Sequence, residues 1–281
     1  MEALKDYWQL TRPRIVAMVL LAMGVAAWTA GEEPPPWLEL VHALLGTGLV
    51  IVGAVALNQR LERRGDAKMP RTALRPLPSG RLTDRQVTRF GILTSAVGFG
   101  YLVCCSAGSL VALAALSWVI YVWTYTPLKS LSVWQTPVGA VAGAMPMLLG
   151  AAAADALLRP MGAALFGVVF FWQFPHAMAI AWLYRDQFAS ADVRLVTVVD
   201  PSGRMAGWIA VGGAVALLPA SLIPAFLSSG GPAYAAVATL LGIGYLGLAV
   251  AMLRRRDDAT ARWLLRGSIV YLPGLFAAML W

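Results

Sequence analysis

The chain has 281 residues, 59% of them hydrophobic and only 13% charged, with a net charge of +8. A soluble domain carries roughly a quarter of its residues as charges, so this composition excludes a water-soluble globular fold. It indicates an all-α polytopic membrane protein, a single transmembrane domain over residues 1–281.

Apolar runs predict nine spans, near 15–30, 38–57, 90–105, 110–126, 136–154, 162–184, 205–227, 234–253 and 263–281. The first ends in AAWTAG, as a cleaved leader does, but Arg12 and Arg14 abut it and the rest of the chain is equally apolar. It is therefore expected to be retained as a helix. The connections alternate in charge. GEEPPP, SAGS and SSGGPA, after spans one, three and seven, lack Lys and Arg, and the loop after span five holds only Arg159. The other side has Lys5, Arg12 and Arg14 before span one, nine cations between Arg60 and Arg89, Lys129, and two later groups from Arg185 and Arg254 onward. That places 21 of the 22 Lys and Arg residues on one face. The bias sets the amino terminus and the basic loops in the cytoplasm, in a bacterial cytoplasmic membrane. It also makes a nucleic-acid partner unnecessary. Cys104 and Cys105 are adjacent and are read as packing residues, without a disulfide.

The stretch from Asn58 to Arg81, NQRLERRGDAKMPRTALRPLPSGR, carries the chemistry. Asn58, Glu62 and Asp66 are spaced i, i+4, i+8 and stay on one helix face. All three offer oxygen, which Mg²⁺ prefers. Arg63, Arg64, Arg71, Arg75 and Arg81 follow them. Oxygen ligands beside fixed cations suit a metal-bound polyphosphate. A second acidic position, Asp186, falls at the cytoplasmic end of span six, four spans later and in the same orientation. That is the layout of a parallel repeat with matching acidic ends. His176 follows Pro175 inside span six and is a candidate ligand for haem iron, against the plainer reading of a hydrogen-bonded interior histidine. His42 is left unassigned.

The strings YWQLTRPRI at Tyr7, ALNQRLERRGDAKMPRTALRPLPSGRL at Ala56, YTPLKS at Tyr125, GAVAGAMPMLLG at Gly139 and WQFPHAMAIAWLYRDQF at Trp172 resemble the UbiA superfamily of intramembrane prenyltransferases. RTALRPLPSGR and WQFPH resemble its haem-farnesylating branch. The resemblance implies nine transmembrane helices in a bundle around a central cavity open to lipid. It implies Mg²⁺-dependent farnesyl transfer from farnesyl diphosphate to a vinyl group of haem B. Asn58, Glu62 and Asp66 match the family's first metal-diphosphate motif, Tyr125 and Lys129 its Tyr-x-x-x-Lys element, and Asp186 the first carboxylate of its second acidic motif. Here the chain departs from the pattern: Gln187 and Phe188 stand where the haem branch has Asp-Tyr, and Asp192 replaces a glycine. Asp192 or Asp200 is the available compensating acid.

In this reading metal is held by Asn58, Glu62, Asp66 and Asp186. Arg71, Arg75 and Lys129 bind the diphosphate, with Lys129, Asp186 and Tyr125 as catalytic groups. Trp123, Phe171 and Trp172 are expected in a dry wall for the farnesyl cation. Membrane lipid and haem-processing membrane enzymes are the expected neighbours. The rival readings are a UbiA-type transferase with an aromatic or lipid acceptor, and a secondary transporter.

Overall fold

A computed structural model describes residues 2–227 and 231–280, and no strand occurs among them. The helices are α1 (Glu2–Leu10), α2 (Pro13–Ala30), α3 (Trp37–Lys68), α4 (Asp84–Cys105), α5 (Gly108–Val119), α6 (Thr126–Leu131), α7 (Gln135–Ala153), α8 (Pro160–Leu183), α9 (Arg185–Ser190), α10 (Val196–Val199), α11 (Arg204–Leu227), α12 (Gly231–Arg255) and α13 (Asp258–Met279). A π-helical turn, Ile120–Tyr125, joins α5 to α6.

Among the described residues, eight helical stretches are long and apolar enough to cross a membrane. The protein is an integral membrane protein. The ninth expected span is α13, whose first half carries Arg262 and Arg266 and is less apolar than the rest. Part of the expected SSGGPA connection, and Trp281 at the end of the ninth expected span, lie outside the described residues.

The first span is preceded by a separate short helix. Pro13 starts α2, and Arg12 before it sits in the left-handed region at φ 47°. A non-glycine residue held there costs on the order of 1–3 kcal/mol, so its surroundings must hold it. They do: Leu10 is buried with Ala56, Leu82 and Val87, Gln59 Nε2 donates to Leu10 O at 2.8 Å, and Arg81 Nε donates to Asp6 at 2.8 Å. The amino-terminal helix is thus tied across the end of α3 and the loop that follows.

At 32 residues, α3 is roughly 48 Å long at 1.5 Å per residue, against a hydrocarbon core of roughly 30 Å. The helix therefore does not stop with its apolar run at Leu57 but continues unbroken through the polar motif. It packs closely on α4 because both present small residues. A Cβ at Gly53 would lie 2.6 Å from Gly91 O, and one at Gly98 would lie 2.7 Å from Val50 N. In lipid such backbone approach supplies packing that water exclusion cannot. Thr83 starts α4 with a reciprocal capping box to Gln86.

In the other half of the bundle α8, α11, α12 and α13 pack around Val168, Met178, Ala210, Leu217, Ala249 and Tyr271. Span six ends earlier than a single continuous helix would: Tyr184 leaves helical geometry at φ −115°, ψ 19°, and α9 begins as a distinct six-residue helix. Cys104 is exposed and both thiols are free, so Cys104 is not the packing residue the sequence suggested.

Candidate active site

Two chambers meet inside the bundle. The polar one, about 980 Å³, is lined by the end of α3, the loop after it, α6, the inner part of α8 and the segment from Phe188 to Leu195. The apolar one, about 290 Å³, lies between α2, α3, α5 and α7. Ligand pockets usually run from roughly 300 to 1,000 Å³. Tyr125 and Gln173 line both chambers and form the neck between them.

The helical register of α3 delivers Asn58, Glu62 and Asp66 to one side, as their spacing predicts. Asn58 is fully buried. Its Nδ2 donates to Glu62 Oε1 at 2.8 Å and to Thr126 Oγ1 at 2.9 Å, while its Oδ1 is buried without a partner. Glu62 is paired with Lys129, and the Lys129 ammonium lies 4.5 Å over the Tyr125 ring. Asp66 is buried, and its Oδ2 accepts from Arg75 at 2.6 Å. Thr72 Oγ1 donates to Asp66 O at 2.7 Å and folds the loop back onto the helix end. Burial, then the charge of Arg12, pull Arg75 below the usual guanidinium range, against the opposing pull of Asp66 and Glu62. An arginine starts so far above neutrality that it stays charged.

The π-helical turn belongs to the site. Thr126 Oγ1 donates to Tyr121 O at 2.7 Å, five residues back, so the hydroxyl that receives Asn58 Nδ2 is locked in place. Such turns are frequent at functional sites. Here the wide turn carries Tyr121 and Tyr125, whose rings are 5.8 Å apart, to the chamber wall. Gln135 Nε2 bridges Lys129 O at 3.1 Å and Arg194 O at 2.8 Å, closing the polar chamber on the side of α7.

The donor set fits Mg²⁺. Glu62 and Asp66 line the polar chamber, and the orphaned Asn58 Oδ1 is buried behind them on the same helix face, outside the lining; Mg²⁺ is commonly held by one or two carboxylates together with substrate phosphate oxygens. Among the described residues no three acidic, histidine or cysteine side chains are preassembled as a cage.

The family pattern for UbiA prenyltransferases matches residues 17–273. The chain belongs to the UbiA prenyltransferase family. Among relatives of this UbiA prenyltransferase, the protoheme IX farnesyltransferase of Solibacter usitatus is 39% identical over 99% of this chain and 98% of its own. That of Rhodopirellula baltica is 38% identical over 96% and 97%. The UbiA fold itself recurs in solved structures. A digeranylgeranylglyceryl phosphate synthase superposes with a TM-score of 0.84 at 15% identity, over 99% of this chain and 98% of that one. A UbiA homologue from Archaeoglobus fulgidus bound to Cd²⁺ gives 0.63 at 16% identity, over 98% and 100%.

Several expected site residues are placed differently in this UbiA chain. Asp186 is exposed on the first turn of α9, because α8 breaks at Tyr184, and it is not among the residues lining the polar chamber. Asp192 does line the chamber and pairs with Lys68. Asp200 instead opens α11, accepting from Met205 N at 2.8 Å and Ser202 Oγ at 2.6 Å, and these bonds hold its carboxyl below the usual range. Of the five arginines, Arg64, Arg71 and Arg75 line the chamber; Arg63 pairs with Asp84 and Arg81 with Asp6, as structural ties. Trp123 is exposed, and Phe171 and Trp172 pack into the α8–α11–α12–α13 core. The apolar chamber is walled instead by aliphatic residues with Trp118, Tyr121 and Pro146. His176 lines the polar chamber, with Nδ1 2.7 Å from Ser268 Oγ and its ring stacked on Trp172. His42 pairs with Tyr101 at 2.7 Å.

Two residues emerge only from the fold. Arg12 lines the polar chamber with a buried, unpartnered guanidinium nitrogen, where the sequence counts it only as a topology charge. Its position before Pro13, where α geometry is disfavoured, is the available signal. Gln173 at the neck has no signal beyond its place in WQFPH.

Proposed function

We propose that this prenyltransferase transfers the farnesyl group of farnesyl diphosphate to a vinyl group of haem B, with addition of water, giving haem O. The acceptor is supported by the near full-length similarity to protoheme IX farnesyltransferases. The observation that carries the chemistry is that a cation-rich chamber adjoins an apolar one, with Tyr125 and Gln173 lining both.

The farnesyl chain occupies the apolar chamber and the diphosphate the polar one, so C1 lies at the neck. Asn58 Oδ1, Glu62 and Asp66 would hold Mg²⁺, and Asp192, which lines the same chamber where Asp186 does not, is the acid of the second half-site. When bound, the metal neutralises charge on the leaving diphosphate. Lys129, Arg71, Arg75 and Arg12 supply fixed positive charge where the C1–O bond breaks. Tyr125, beneath the Lys129 ammonium, presents its ring to the allylic cation. His176, held through Nδ1 by Ser268, offers Nε2 to the iron of the incoming haem. The acidic motif and the basic loops face the cytoplasm.

The test is incubation of purified protein in detergent with Mg²⁺ and farnesyl diphosphate, with haem B, an aromatic acid or a glycerol phosphate as acceptor. Diphosphate release and a farnesylated, hydrated porphyrin with haem B alone is the expected outcome. Turnover with another acceptor and none with haem B refutes the acceptor. Absence of diphosphate release with every acceptor refutes prenyl transfer from farnesyl diphosphate.

A further inference from the structure

The reaction proposed above leaves one reactant without a seat: the water. Resting on that reading, we infer that Gln173 is the water-positioning residue, holding the attacking water at the neck between the chambers.

Four observations carry it. Gln173 is one of two residues that line both chambers, so its side chain stands where C1 of the prenyl group and the acceptor meet. Its carboxamide is oriented without ambiguity: Nε2 donates to Ala140 O at 3.0 Å, and a carbonyl requires the nitrogen on that side. Oε1 has no partner among the described residues and is left as an acceptor. Finally, the carboxamide has a built seat. A Cβ at Gly143 would lie 2.7 Å from Gln173 Nε2 and closer still to Oε1. One helical turn away, a Cβ at Gly139 would lie 2.6 Å from Tyr125 Cε2. The pair Gly139 and Gly143 on α7 thus accommodates both neck residues, Tyr125 on one side and Gln173 on the other.

The chemistry defines what such an acceptor does. The C1–O bond breaks and its electron pair leaves with the diphosphate. The π pair of the vinyl group forms the new C–C bond to C1, leaving a cation on the inner vinyl carbon. A water oxygen closes that carbon with a lone pair, and its surplus proton passes to the freed diphosphate in the adjoining chamber. A water that donates one hydrogen to Gln173 Oε1 keeps its lone pair free for the cation. Without that acceptor the cation decays by losing a proton from the neighbouring carbon, giving an alkene one water lighter.

The experiment compares wild type, Gln173→Leu and Gly143→Ala with haem B, Mg²⁺ and farnesyl diphosphate in ¹⁸O-water. The readout is the ratio of hydroxylated to dehydrated farnesyl-porphyrin by mass. Because the ratio is taken among product molecules, a smaller folded fraction does not move it. Gln173→Leu, which keeps the volume but removes the acceptor, is expected to lower the ratio about tenfold, the worth of one hydrogen bond. Gly143→Ala, which displaces the carboxamide, is expected to shift it the same way. A wild-type ratio in both variants overturns the inference, as does a Gln173→Leu protein that makes neither product, since Gln173 would then act before the C–C bond forms. Wild-type enzyme that yields no farnesylated porphyrin refutes the acceptor assignment instead.

Discussion

Glu62 and Lys129 are paired in the polar chamber, and Lys129 can be tested apart from its partner. Lys129→Met removes fixed positive charge beside the leaving group and should lower kcat about 100-fold or more, with haem affinity, followed by the porphyrin absorption band, nearly unchanged. An equal loss of haem affinity would place Lys129 in acceptor binding. Asp66 is buried against Arg75, so Asp66→Ala would leave an unpaired buried cation and confound folding with catalysis. Asp66→Asn is the cleaner probe, and transfer should fall about 100-fold in protein that remains monodisperse. Gln187 stands where the haem branch has a carboxylate, and its Oε1 is buried without a partner. Ligand charge count tunes affinity for hard cations, so Gln187→Asp should reach half-maximal turnover at lower Mg²⁺ than wild type. An unchanged titration would remove Gln187 from the metal's surroundings. The i, i+4, i+8 register of Asn58, Glu62 and Asp66 was legible because it depends only on helix geometry. The exposure of Asp186 was not, because it depends on a helix break at Tyr184 that neither proline nor glycine marks.

At the scale of the element, α3 reaches through and beyond the membrane core because its apolar run passes into polar sequence without a breaker. The expected end near residue 57 followed hydropathy, and hydropathy reports where lipid stops, not where a helix does. The π-helical turn at Ile120–Tyr125 had no local signal either; one extra residue in a turn leaves the apolar pattern intact. The small residues of α3 and α4 make Gly98→Val a folding probe, since its Cβ would fall 2.7 Å from Val50 N and 2.9 Å from Val50 Cγ2. That variant should give little monodisperse protein, and normal yield and melting would refute the close approach. Thr83→Ala removes a capping box and should cost about 1 kcal/mol, seen as a lower melting temperature in detergent with the wild-type Mg²⁺ titration retained.

At the scale of the whole molecule, the two chambers divide the substrate by polarity. The tie of Asp6 to Arg81 and of Gln59 to Leu10 O binds the amino terminus to the diphosphate side. In a chain with Cys104 and Cys105 changed to Ser, a cysteine replacing Ala73, in the loop between α3 and α4, should therefore react with an impermeant reagent only from the cytoplasmic side, as presented by inverted vesicles. Labelling in intact cells would reverse the topology. The membrane class followed from composition and run length, which gave nine spans where eight helices among the described residues are long and apolar enough to cross, and the cation asymmetry suggested an orientation. The neck did not follow, because Tyr125, Gly139, Gly143 and Gln173 come from three helices whose mutual approach no single run of sequence records. The account's central claim is that the prenyl diphosphate lies across this neck. The most direct measurement is a structure of the protein with Mg²⁺ and a non-ionising farnesyl thiodiphosphate. The account predicts phosphate density among Lys129, Arg71, Arg75 and the carboxylates of Glu62 and Asp66, with the chain passing between Tyr125 and Gln173 toward Ala54 and Leu149. A chain lying along α8 and α13 with the apolar chamber empty would contradict it.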